Sequence, residues 1–153
     1  MIPKFRAWDR KNKVMRDVKG LIWEETDLIG HCNLIAHCPP RGHEFNEWFT
    51  AVLDGSEYQL MQSTGLKDKN GVEIFEGDMV RYTWDMLSDV NATEKGKKVR
   101  ISKVFWSDWR ASWAVGKKSC NNDLFRYARN GNTVEVIGNV WENPELLEQA
   151  NEN

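Results

Sequence analysis

The chain has 153 residues, with 21 Lys and Arg against 23 Asp and Glu and a formal charge of −2. That length suits one ordinary domain or two very small ones, with a core that needs no disulfide or metal, and the charge excludes a histone-like or polybasic protein. Apolar residues make up 41%, which excludes wholesale disorder, and three Cys are too few for a secreted disulfide scaffold.

The opening MIPKFRAWDRKNK lacks the apolar core of a signal peptide. No apolar run reaches the ~18 residues that a membrane helix needs. The expected compartment is the reducing cytoplasm. Residues 2–8 alternate, with Phe5 and Ala7 on one side and Arg6 and Trp8 on the other, which predicts a short strand. Asp9 to Lys13 is a polar turn, and Val14-Met15 begins a return strand. Residues 16–43 carry no clear period, and Pro39, Pro40 and Gly42 break any regular element there. From Glu44 to Leu53 the apolar set Phe45, Trp48, Phe49, Val52 and Leu53 suits one helical face, with a buried strand as the less favoured alternative.

Residues 57–64 alternate again and predict a strand. Asp68-Lys69-Asn70-Gly71 is a reverse turn, because Asn-Gly accepts positive φ at low cost. Residues 72–75 form a second short strand, Glu76-Gly77-Asp78 another tight turn, and Met79 to Trp84 a third strand. Residues 85–98 read as a polar loop. Val99 to Trp106 is a strand with Val99, Ile101 and Phe105 on one side, and residues 111–115 are its partner. Asn130-Gly131-Asn132 turns the chain into a last strand, 133–141. Asn143-Pro144 then opens a helix: Asn caps it, Pro suits the first helical position, and Glu145 complements the dipole. Many short strands with regular turns and one terminal helix make a mainly β domain. Turns at Gly71 and Gly77 fold the sheet sharply, as in a small barrel.

Three stretches carry a family resemblance: KFRAWDRKNKVM at 4–15, LMQSTGLKDKNGVEIFEGDMV at 60–80 and VEVIGNVWENPELL at 134–147. In order and spacing they resemble the YopX-like family of phage and prophage proteins. The resemblance implies an SH3-like barrel with extra strands and a short C-terminal helix. On that reading the chain is one domain: an N-terminal hairpin and insert over 1–56, a barrel core over 57–142 and the helix over 143–150. It implies a phage or prophage origin and carries no activity with it. Segments 24–50 and 85–98 depart from the family's shorter pattern.

Within the central block, Gly65, Asp68, Asn70, Gly71, Gly77 and Asp78 each have a folding reason, so the motif reads as architecture. Asp68, Glu73, Glu76 and Asp78 have no His or nucleophile nearby in sequence to make an active site. His31-Cys32 and His37-Cys38, with His43 beyond, are zinc-ligand types, but adjacent His-Cys pairs lack the spacing of finger-type sites. A chance cluster is preferred and no metal or cofactor is expected.

Between Lys95 and Lys118 stand eight bases and one acid, Asp108, so the remainder of the chain is strongly acidic. Trp106, Trp109 and Trp113 lie among the bases. Cations hold phosphates, and unpaired bases stack on aromatic faces. Lys97, Lys98, Arg100, Lys103, Trp109 and Arg110 are therefore the candidate partner surface. The ordinary reading is that Trp106 and Trp113 alternate into the core while the lysines solvate loop ends. Phosphate loops, dinucleotide fingerprints and nucleophile elbows are absent from the sequence. The expectation is a non-enzymatic accessory protein that binds itself or a phage or host protein, with nucleic acid as the alternative partner of the 95–118 strip. Eight Trp suit interface anchoring.

Overall fold

The computed structural model describes residues 3–24, 31–38, 49–53, 57–84, 98–129 and 133–152. The chain divides into two compact units, Met1–Gln62 and Ser63–Asn153. Among the described residues the secondary structure is mainly β, with two short helices.

The first unit is built on the antiparallel strands β1 (Phe5–Asp9), β2 (Val14–Glu24), β3 (His31–Cys38) and β4 (Phe49–Leu53). The start of β5 (Tyr58–Lys67) pairs with β1, Ala7 opposite Leu60. Ala7 and Tyr58 are buried, with Val18, Leu21 and Leu60 packed against them. The β1–β2 turn is organised by Asp9, which is fully buried. Its carboxylate accepts from the Lys11 and Asn12 amides, both at 3.0 Å, from Asn12 Nδ2 at 2.8 Å and from Arg16 Nε at 2.9 Å. Arg16 Nη2 adds an ion pair at 2.8 Å.

Burial pushes the Asp9 carboxyl upward, but the hydrogen bonds from Asn12 and Arg16 outweigh it and hold the carboxyl at about 2, below its ordinary 3.8. Because the folded value is the lower one, the unfolded chain takes the proton first. The stabilisation is complete above roughly pH 4 and is lost as pH falls toward 2, on the order of 2 kcal/mol. The stability gap between the wild type and Asp9→Asn, measured by urea unfolding, narrows by about that amount over this window. A constant gap would show that the carboxylate charge is not what ties the turn.

The return strand begins at Val14 as expected and runs on to Glu24 through residues that carry no clear period, and a register shift between Val18 and Gly20 interrupts its alternation. The helical face expected over 44–53 is overturned at its end. Phe49–Leu53 is a strand, with Ala51 opposite Ala36; residues 44–48 lie outside the described residues. A five-residue, mostly apolar stretch that includes the β-branched Thr50 and Val52 pairs along a neighbouring strand more readily than it closes an isolated helix.

The second unit holds the end of β5, then β6 (Glu73–Phe75), β7 (Asp78–Trp84), β8 (Lys98–Lys103), β9 (Phe105–Ser107), β10 (Ser112–Lys117), β11 (Cys120–Asp123), α1 (Leu124–Arg129), β12 (Glu135–Asn139) and α2 (Pro144–Glu152). β7 lies between β12 and β8, and β10 lies between β11 and β9. The core joins Ile74, Val80, Tyr82, Val104, Val115, Leu124, Tyr127 and Val134. The Tyr82 and Tyr127 rings meet at 4.8 Å.

The predicted turns are present and their hydrogen bonds explain the central motif. Asp68 is 2% exposed. Its Oδ1 accepts from the amides of Asn70 and Val72 at 2.8 and 2.9 Å, and its Oδ2 accepts from the Val136 amide at 2.9 Å. Asp78 Oδ2 accepts from the Phe75 amide at 2.8 Å, closing the β6–β7 turn. Gly65, Gly71 and Gly77 all have positive φ.

The strand expected over 99–106 is broken at Val104, whose amide and carbonyl pair with Asp78 O and Gly77 N. The side that carries Val99, Ile101 and Phe105 is not the one turned to the core. Val99 is 61% exposed, while Ser102 and Val104 are buried. Trp113 packs on the core, but Trp106 is 46% exposed and meets Trp113 edge-on at 5.2 Å. α1 was not expected. At six residues it is too short to show a helical period, although Asp123 Oδ1 accepts from the Phe125 amide as a cap does.

The C-terminal helix is as predicted, with Pro144 as its first residue. Its entry is built differently from the expected cap. Asn143 Oδ1 accepts from the Asn139 amide at 3.3 Å. Asn139 Oδ1 in turn accepts from the amides of Trp141 and Glu142.

Candidate functional site

One groove of the second unit, about 470 Å³ in volume, gathers residues from four separate stretches of chain. β8 contributes Arg100, Ile101, Ser102 and Lys103, and β9 contributes Phe105. The β10–β11 hairpin contributes Gly116, Lys117, Lys118 and Cys120. Leu147, Ala150 and Asn151 of α2 form another wall, and Tyr82 of β7 reaches in from the core.

Local chemistry positions each wall. Lys117 pairs with Cys120, so only Lys118 and Ser119 turn the chain and the two lysines stay adjacent. Gly116 has φ +102, and its amide donates to Ser102 Oγ at 2.7 Å. A Cβ there would stand 3.2 Å from the Cys120 carbonyl, so glycine allows this hairpin its close return. α2 is held at its start by the Asn139–Asn143 knot and packs along β8. Ile101 and Phe105, which the alternation places on one side of the strand, line the groove.

The groove is cationic. Arg100, Lys103, Lys117 and Lys118 line it, and among the described residues none that lines it is a carboxylate. Two other cations of this unit are matched: Glu135 accepts ion pairs from Lys69 at 3.2 Å and Arg81 at 2.9 Å. Hydrogen bonds from Arg81 and Lys69 hold the Glu135 carboxyl below its usual value. Among the described residues, Lys103, Lys117 and Lys118 have no carboxylate partner. Burial, reinforced by Tyr127 and opposed by Arg100, pushes the Tyr82 hydroxyl up to about 12, so it stays a neutral donor at the groove's base. Cations around a partly apolar concavity favour an anion that also carries a flat or apolar part.

The structure brings together two of the six surface residues picked from the sequence, Arg100 and Lys103. Lys97 lies outside the described residues, and Lys98 opens β8. Trp109 and Arg110 sit in the β9–β10 turn. Trp109 is 67% exposed, and the Arg110 guanidinium lies 4.2 Å from its ring centre. Arg110 is anchored as well, donating from Nε to Asn121 Oδ1 at 2.7 Å and from Nη2 to the Asn121 carbonyl at 2.8 Å.

Lys117 and Lys118 belong to the basic strip, but they are not among the six surface candidates that the sequence points to. Tyr82, Leu147 and Asn151 left no signal in the sequence, because only tertiary contact brings them to β8. The motif residues Gly65, Asp68, Asn70, Gly71, Gly77 and Asp78 are not among the groove's lining residues. His31, Cys32, His37 and Cys38 lie on β3, and their side chains are outside the described part of the structure.

The family described as YopX protein matches residues 4–148. No curated protein matches the chain. Among solved structures, the chain is similar to protein EF1440 from Enterococcus faecalis, at 28% identity over 96% of this chain and 99% of that one, with a TM-score of 0.56. It is also similar in fold to protein yopX from Bacillus subtilis, at 21% identity over 94% and 97% of the two chains, with a TM-score of 0.55.

Proposed function

This chain belongs to the YopX protein family, and from that premise we propose that it is a non-enzymatic binding module whose groove holds the phosphate backbone of a nucleic acid. The observation that carries this reading is that Lys103, Lys117 and Lys118 line one concavity and have no carboxylate partner among the described residues. Like charges gathered without counter-charges repel one another, and a polyanion relieves that repulsion while releasing its counterions. The non-enzymatic reading is supported by the buried carboxylates Asp9, Asp68 and Asp78, which all accept backbone amides. We read the second unit as an SH3-like barrel, on its short strands and the tight turns at Gly71 and Gly77. The family resemblance supports a phage or prophage accessory protein working in the cytoplasm of a bacterial host.

Tryptophan fluorescence titrated with DNA at several salt concentrations tests the reading. Binding is expected to weaken steeply with salt. Lys117→Ala and Lys118→Ala each weaken it regardless of sequence and lower the salt slope by about 1. A flat titration at low salt retires the groove as a phosphate site. A second reading, a protein partner or a second copy of this chain, is favoured by the exposure of Trp109 and Trp106. A discrete oligomer in solution that Trp109→Ala dissolves would support it.

A further inference from the structure

We infer that the nucleic acid is single-stranded and that Trp109, braced by Arg110, is a stacking platform for an unpaired base. This rests on the groove reading and adds to it the class of strand. The Trp109 indole is 67% exposed, so an aromatic face is available to solvent. The Arg110 guanidinium lies 4.2 Å from the ring centre, and its two hydrogen bonds fix it to Asn121, which is 3% exposed. Asn121 is itself held, donating to Ser107 Oγ and to the Lys118 carbonyl.

That last bond ties the brace of the indole to a groove residue. A ring held in this way loses little conformational freedom when a base stacks on it. Phe105 offers a second aromatic surface in the groove itself. From Phe105 to Trp109 the chain spans at most roughly 14 Å, within reach of a short oligonucleotide whose phosphates lie on the groove lysines. In a duplex the bases are paired and stacked on each other, so neither aromatic would gain a partner. An unpaired strand offers a base face to each.

The test compares a labelled oligothymidylate with a blunt duplex of equal length at the same low salt, by fluorescence anisotropy. The single strand is expected to bind about tenfold tighter or more. Trp109→Ala should weaken the single strand about tenfold while leaving duplex affinity and the salt slope unchanged. Trp109→Phe should restore most of the loss, which separates stacking from a fold defect. Equal affinity for the two forms, or no effect of Trp109→Ala, overturns the inference and leaves the phosphate groove standing. Tighter binding to vesicles of anionic phospholipid than to the oligonucleotide also overturns it. Failure of both DNA forms to bind overturns the inference and the groove reading together.

Discussion

Replacing Asp68 by Asn is expected to lower the unfolding free energy by about 2–4 kcal/mol, one of the largest effects of any single polar change here. Both oxygens of this 2%-exposed carboxylate accept backbone amides: Oδ1 those of Asn70 and Val72, Oδ2 that of Val136. An asparagine keeps only one acceptor. If its oxygen stays on the turn, its NH2 faces the Val136 amide, donor against donor. If the amide flips, two turn amides lose their partner. Either way a buried N–H is left unmatched, and charge-assisted bonds become neutral ones. Urea unfolding should show a lower midpoint with an unchanged slope. A shift worth less than about 1 kcal/mol would mean that the backbone pairs Asp68 N to Val72 O and Lys69 N to Val134 O hold the segment without the carboxylate.

Gly138→Val is expected to cost about 3 kcal/mol and to weaken ligand binding as well. A Cβ at this position would collide with the Asn143 side-chain oxygen, stand 2.8 Å from Asn143 Cγ and approach Leu146 Cδ1 at 3.1 Å. Asn143 cannot simply swing away, because its Oδ1 is bonded to the Asn139 amide at the end of β12. The collision is relieved by moving the start of α2, whose Leu147, Ala150 and Asn151 wall the groove. Thermal unfolding followed by circular dichroism reads the first effect and the DNA titration the second. Gly71→Ala is the control: it also sits at positive φ, but nothing lies within 4 Å of its Cβ. It should lose only about 1 kcal/mol and bind as the wild type does. Equal losses at both positions would assign the Gly138 effect to backbone conformation and not to the helix entry.

Elements whose cause is local were legible in the sequence. The 68–71 turn and the entry to the Pro144 helix are each marked by hydrogen bonds between residues within four positions of each other. Turn chemistry of that range leaves a signature in the linear sequence. Elements whose cause lies elsewhere were misread or missed. Phe49–Leu53 is a strand because β3 pairs with it. β2 hides its period behind a register shift. α1 is too short for a period, and it owes its place to Leu124 and Tyr127 entering the core.

A mainly β protein of the YopX family, its tight turns, its terminal helix and the segregation of positive charge into one stretch are all written in the order of residues along the chain. Turn geometry, helix starts and net charge are properties of neighbouring residues, so no tertiary knowledge is needed to read them. Only the tertiary structure decided which face of residues 99–105 is turned inward. It set Ser102 and Val104 into the interior and left Ile101 and Phe105 to line a groove, because the chain breaks at Val104 to pair with Gly77 and Asp78. It also decided which bases act together. Arg100, Lys103, Lys117 and Lys118 share one concavity because β8, the β10–β11 hairpin and α2 pack there, whereas Arg110 is drawn off to Asn121. Alternation marks that a strand has two unlike faces, and only packing assigns each face to its surroundings.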